Sequence, residues 1–270
     1  MTSPVLVTGG TGTLGQLVVS RLRDGGCEVR VLSRRSHESG DGVEFVMGDL
    51  ASGEGIDAAA EGAEIIVHCA GSRKGDEDKA RHLVRAASQA GAKHLVHISV
   101  VGADRIPIDS RLDRAMFGYF GSKLAAEQAV ADSGLPWTTL RATQFHDLIL
   151  TTVRQMTRLP VVPVPVSRFQ PVDADEVAAR LVELALGEPA GLVPDLAGPQ
   201  VYESRDLVRG YLEASRKHRL TVPVRLPGKA ARAVRGGANL APDRAVGRRT
   251  WEDFLAARVR SPDQARSGPT

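Results

Sequence analysis

Through the first 140 residues, short runs rich in Val, Ile and Leu alternate with stretches whose apolar residues recur at helical spacing. The runs at 5–7, 28–32, 43–46, 65–68, 94–98 and 137–140 predict strands. Between them, Leu14, Val18, Val19 and Leu22 share one face of a helix, and 82–90 and 115–131 repeat that pattern. Strands alternating with helices predict βαβ units and a parallel sheet with right-handed crossovers.

After Leu140 the rhythm changes. Residues 144–158 predict a helix, and the proline-punctuated stretch 159–166 must be extended. Asp173 is placed to cap a helix running to Leu186, with Gly187 ending it. A further helix is predicted at 203–217 and a short strand at 222–226. The expected division is a nucleotide-binding core at 1–145, a substrate-binding part at 146–260 packed on it as one integrated domain, and a disordered tail at 261–270.

The first strand runs into Thr8-Gly9-Gly10-Thr11-Gly12-Thr13-Leu14-Gly15, and a helical pattern follows at once. Glycines 9, 12 and 15 suit a tight turn, close approach of a pyrophosphate and close helix–strand packing, while the helix N-terminus offers free N–H groups to phosphate. With the alternation above, this predicts a Rossmann-type doubly wound α/β sheet with a small C-terminal α/β cap over the substrate. After the second strand comes Ser33-Arg34-Arg35, with no acid to hold ribose hydroxyls. Two guanidiniums there favour a 2′-phosphate, hence NADP(H) over NAD(H). Asp49 and Leu50 follow the third strand, a carboxylate for the adenine amino group and an apolar contact for its ring. Cys69, Ala70 and Gly71 follow the fourth and let the backbone approach a cofactor. His68 is expected to be structural and Cys69 an inert thiol.

Composition narrows the class without changing it. The chain has 270 residues, 42% hydrophobic and 25% charged, enough apolar content for a core. No stretch is long enough to span a bilayer, and no basic leader precedes the first apolar run. Two cysteines make neither a disulfide framework nor a four-ligand zinc site, so the cytoplasm is expected and no metal. Net charge is +3, yet residues 201–270 carry 15 Lys/Arg against 7 Asp/Glu. Without interleaved aromatics or a binding motif, that excess reads as a solvated surface, with no nucleic-acid partner.

The fifth strand leads to Ser99, and Tyr119 and Lys123 lie four apart on the helix that follows. A lysine ammonium is expected to lower the phenol's pKa, so that tyrosine supplies a proton while serine orients a carbonyl oxygen. A bound nicotinamide would deliver hydride. Thr143, Gln144, Phe145 and His146 should lie on the nicotinamide side, with Thr143, Phe145 and His146 as substrate contacts.

The glycine loop, Gly48-Asp49-Leu50, the strand-five serine and Tyr119-x-x-x-Lys123 resemble the short-chain dehydrogenase/reductase superfamily. The segments Gly134-Leu135-Pro136-Trp137-Thr138, Leu140-Arg141-Ala142-Thr143-Gln144-Phe145 and 170–178 resemble its atypical, NmrA-like branch. The resemblance covers roughly residues 4–260. It implies catalytic roles for Ser99, Tyr119 and Lys123, a pyrophosphate site at Gly9, Thr11, Gly12, Thr13, Leu14 and Gly15, and Arg34 before Arg35 as 2′-phosphate ligand. The implied activity is NADPH-dependent reduction of a small carbonyl, enone or quinone by a monomer or homodimer. Two other readings remain open: an NADP(H)-binding redox-sensing regulator without turnover, and a sugar-nucleotide epimerase.

Overall fold

The computed structural model describes residues 3–72 and 75–259; the tail expected at 261–270 lies outside the described residues. Six strands form where the β-branched runs predict them: β1 (Val5–Thr8), β2 (Val29–Ser33), β3 (Val43–Met47), β4 (Ile65–His68), β5 (His94–Val100) and β6 (Trp137–Ala142). With a short seventh strand they make a parallel sheet in the order β3-β2-β1-β4-β5-β6 and then Gly191–Leu192. The reversal between β1 and β4 opens a crevice at the carboxyl edge, where ligands of such sheets bind.

Both faces of the sheet are covered, which is why its strands read as apolar runs rather than as alternation. On one face Val5, Val7, Val31, Val67, Val96 and Leu140 pack against α1 (Thr13–Asp24) and a helix at Ala174–Ala185. On the other, Leu6, Leu32, Ile66 and Leu95 pack against α2 (Ile56–Ala60), α3 (Asp76–Gln89) and α4 (Arg111–Ala131). Helix α4 starts four residues before its apolar pattern does, because Ser110 and Asp113 close a capping box ahead of it.

Beyond β6 come α5 (His146–Met156), β7 (Val161–Pro165), β8 (Arg168–Phe169), α6 (Ala174–Ala185), the seventh sheet strand β9 (Gly191–Leu192), β10 (Tyr202–Glu203), α7 (Ser204–Ala214), β11 (Leu220–Val224), α8 (Lys229–Gly236) and α9 (Trp251–Arg258). Asp173 caps α6 as expected, its carboxylate accepting from Asp175 N. Ile149, Val153, Val162, Leu207, Tyr211, Trp251 and Phe254 form a separate apolar cluster, which joins α5, α7 and α9 to β7. Helix α8 packs on α4 through Val234, Phe117 and Phe120.

Candidate functional site

The loop from β1 to α1 is shaped by two close approaches. Gly9 has φ +71°, and a Cβ there would lie 2.6 Å from Ala70 N at the end of β4. A Cβ on Gly15 would run into the Gly9 carbonyl oxygen. The loop turns on itself through Gly12 N donating to Gly9 O at 2.9 Å. Gly12 is the N-cap of α1, so no side chain caps the helix, and no acid occupies its first turn. The first N–H groups of α1 therefore face an open rim formed by exposed Thr11, Gly12 and Thr13, while Leu14 and Gly15 are buried behind them. This cradle fits a phosphate: among the described residues no side chain caps its donors, and the close approaches at Gly9 and Gly15 exclude side chains from it.

Ser33 is buried, and its hydroxyl accepts from Arg35 N at 3.1 Å, shaping the turn after β2. Arg34 and Arg35 point into solvent, with no side-chain hydrogen bond or ion pair among the described residues. Asp49 is half-buried, one of its oxygens accepting from Ala51 N at 2.9 Å. Leu50 is buried in the cluster with Leu32 and Ile56. Burial pushes the Cys69 thiol up to about 12 against the pull of Lys123, leaving it protonated and unreactive. Ala70 closes on Gly9, and Gly71 is exposed beside Lys123 Nζ.

Ser99, next to last in β5, is buried, and its hydroxyl has no hydrogen-bond partner among the described residues. Lys123 reaches back from α4 so that its ammonium lies 3.5 Å from the Ile98 carbonyl oxygen, one residue before Ser99. The same ammonium sits 5.9 Å from the centre of the Tyr119 ring. The structure thus brings Tyr119, Lys123 and the end of β5 together. Helix α4 runs unbroken through Gly118 and Gly121.

One expectation is corrected here. Burial raises the Tyr119 phenol above its ordinary value; Lys123 opposes the rise and Asp76 adds to it. The lysine pulls the phenol down as expected, but burial outweighs it, and Asp76, whose Oδ2 is 3.1 Å from Nζ, adds to the rise. Asp76 was not foreseen. It opens α3, accepts from Ser72 N at 2.8 Å and Ser72 Oγ at 3.0 Å, and its own N–H goes to Ser122 Oγ at 3.1 Å. In the sequence it is one of three acids starting a helix, where acids are common for electrostatic reasons.

Beneath Lys123 two fully buried histidines stack, His68 on β4 and His97 on β5, with ring centres 5.1 Å apart. His68 Nδ1 lies 2.6 Å from Thr8 Oγ1. Burial, followed by Lys123, drives His68 down to about 3, and burial also holds His97 well below its usual value. Both rings are neutral packing groups.

On the substrate side, the buried Thr143 hydroxyl accepts from Gly198 N at 3.3 Å, tying β6 to a distant segment. Phe145 is half-buried, and its backbone pairs with Val172. Gln144 is buried, and its amide has no partner among the described residues. His146 departs from the expected substrate contact. Its ring is fully buried, stacks on Phe254 at 5.0 Å and Trp251 at 5.9 Å, and its Nε2 lies 3.1 Å from the Arg249 carbonyl oxygen. Helix α9 covers it, which sequence spacing near β6 does not reveal.

A family model described as NAD(P)H-binding matches residues 9–186. The chain belongs to that family. It is 30% identical over 210 residues to the (4-alkanoyl-5-oxo-2,5-dihydrofuran-3-yl)methyl phosphate reductase of Streptomyces griseus, covering 75% of this chain and 70% of that one. It is 32% identical over 208 residues to the ceramide reductase of Caulobacter vibrioides, covering 70% of this chain and 63% of the other. The fold matches an Escherichia coli NADPH-dependent quinone oxidoreductase complexed with NADPH, with TM-score 0.77, 18% identity, and coverage of 94% and 99% of the two chains. This NAD(P)H-binding chain is therefore one of a reductase-like family. Among its described residues, no helix is long and apolar enough to cross a membrane, and no three His, Cys, Asp or Glu side chains gather as for a metal ion.

Proposed function

We propose that the chain is an NADPH-dependent reductase of a small carbonyl, enone or quinone, with Ser99, Tyr119 and Lys123 as its catalytic residues. The observation that carries this reading is the buried, unpartnered Ser99 hydroxyl at the strand end where Lys123 meets the Ile98 carbonyl and underlies the Tyr119 ring. When bound, the nicotinamide supplies a hydride. Gly9, Gly12 and Gly15, with the free N–H groups of α1, would hold the pyrophosphate, and Arg34, then Arg35, the 2′-phosphate. Cys69, Ala70 and Gly71 would line the cofactor, with Asp49 and Leu50 toward the adenine.

Ser99 donates to the substrate's carbonyl oxygen, and Tyr119 then gives that oxygen its proton. The phenol is protonated at neutral pH and has a proton to give; burial makes it a weaker acid, and Lys123 opposes that rise. Lys123 stabilises the phenolate left behind, its own charge held in place by Asp76. Residues 146–260 supply the substrate side, with Phe145 and Thr143 at its border. The same reading has the chain act in the cytoplasm on a small molecule, as a monomer or homodimer.

The test is consumption of NADPH against a panel of quinones, enones and ketones, with Tyr119→Phe in parallel. Turnover that collapses in the variant supports the reading. A variant as fast as the parent sinks the tyrosine's role. NADPH binding without turnover on any acceptor moves the assignment to an NADP(H)-binding regulator. The observation on that side is Lys123's commitment to Asp76, which satisfies the ammonium without a substrate.

A further inference from the structure

Ser99 is one of several side chains near this edge whose buried polar atoms have no hydrogen-bond partner among the described residues, and the proposed reduction leaves His97, Gln144 and Asn239 of the others unused. Gln144 is one of the others. It is 9% exposed, and neither its Nε2 nor its Oε1 is hydrogen-bonded. Its backbone is nevertheless fixed, the carbonyl accepting from Val172 N at 3.0 Å. Gln144 lies just beyond β6 at the edge where β5 ends: Ser99 is opposite Arg141, and Val101 N donates to Ala142 O at 3.0 Å. A segment of the C-terminal third closes over the same edge. The Ala238 carbonyl lies against Gly102, and Ala241 packs on Val101 while its N–H goes to Gln170 Oε1 at 3.0 Å. Between them stands Asn239, 1% exposed, with Nδ2 donating to Arg168 O at 2.8 Å and Oδ1 unanswered.

A buried amide with donor and acceptor both unmet destabilises the ligand-free protein, whereas leucine of similar size would not. Such a group discriminates strongly among ligands, because only a matching one meets its hydrogen bonds. The charge of the match follows from the cations beside Ser99. Lys123 is paired with Asp76 at 3.1 Å. Arg141 is held bidentately by Glu127 and lies 2.8 Å from Asp104. An anion at Gln144 would find no free countercharge there, but a neutral group that both donates and accepts would be complete.

We propose that Gln144 recognises a neutral amide or hydroxyl on the substrate, so that the chain prefers a carbonyl compound carrying such a group, with Asn239 Oδ1 as a second acceptor. This rests on the reductase reading above. The discriminating set is 3-oxobutanamide, 4-methylpentan-2-one and 3-oxobutanoate, which share a methyl ketone and differ at the far end as amide, alkyl isostere and anion. With NADPH and the parent protein, kcat/KM for the amide should exceed that for the other two by about tenfold or more. Gln144→Leu should erase that preference, leave NADPH affinity unchanged, and unfold at the same temperature as the parent or higher. Equal rates across the set, or a preference that survives in Gln144→Leu, overturn the inference and leave the reductase standing. Weaker NADPH binding by the variant also overturns it, assigning Gln144 to the cofactor. No turnover of any acceptor, with NADPH binding intact, overturns the reductase reading and this one with it.

Discussion

The Lys123 ammonium and the Asp76 carboxylate meet at 3.1 Å, with side chains 4% and 1% exposed. Helices α3 and α4 are packed side by side, so the pair is set by the scaffold rather than by a mobile loop. A buried pair of this kind recovers little net stability beyond its desolvation, yet each partner depends on the other. The positive charge under Tyr119 is thereby held at one place, which is what a proton donor in a closed site requires.

Removing one charge of this pair strands the other. Asp76→Asn should destabilise the protein by about 3–5 kcal/mol and lower kcat/KM at least tenfold. The double variant Asp76→Asn with Lys123→Met removes both charges and should recover most of the stability without recovering turnover. Urea unfolding and steady-state rates on the same preparations check this. Stability unchanged in the single variant would show that the pair is solvated in solution.

The glycine cradle gives a second test. Gly9→Ala places a Cβ 2.6 Å from Ala70 N at φ +71°, so either β4 or the loop must move. NADPH affinity, read by titrating cofactor fluorescence, should fall about a hundredfold or more, since the proposed pyrophosphate site lies against the backbone at this turn. Affinity within threefold of the parent would mean that the pyrophosphate lies elsewhere.

The proposed preference for NADPH rests on the exposed guanidiniums of Arg34 and Arg35, which among the described residues have no carboxylate to compete for them. Arg34→Ala should reduce kcat/KM for NADPH about tenfold to a hundredfold and leave that for NADH nearly unchanged, the size of a lost charge-assisted contact. Arg35→Ala should have the smaller effect. Equal losses with both cofactors would remove the 2′-phosphate from this turn.

Six strands were legible to within a residue or two because burial on both faces writes them as unbroken β-branched runs. Strand β9 was not, since two residues beginning with Gly191 carry no periodicity. The tight turn between β1 and α1 was legible because glycine spacing states a backbone requirement directly. Asp76 was not, since its partner Lys123 lies far along the chain and only the packing of α3 on α4 joins them. His146 failed for the same reason in reverse: its place after β6 was read correctly, but Trp251 and Phe254 decide where its ring goes.

The stacked histidines predict an acid sensitivity that carboxylates cannot explain. His68 is held down to about 3 in the folded chain, and His97 is also well below the usual value near 6.5. Once unfolded, both rings take up protons below about pH 6.5, so the unfolded state binds more protons than the native one. Stability is then fully present above pH 6.5 and falls as pH drops toward the folded-state values. Each neutral histidine contributes a slope of about 1.4 kcal/mol per pH unit, so the pair gives roughly 2.7. Between pH 6.0 and 5.0, above the carboxylate range, urea unfolding should show this slope, with His94 and His146, also lowered by burial, steepening it. Replacing His68 and His97 together by glutamine should flatten the profile by about two protons. A parent curve that is flat across this interval would show that both rings gain protons in the folded state, and hence that water reaches the layer beneath Lys123.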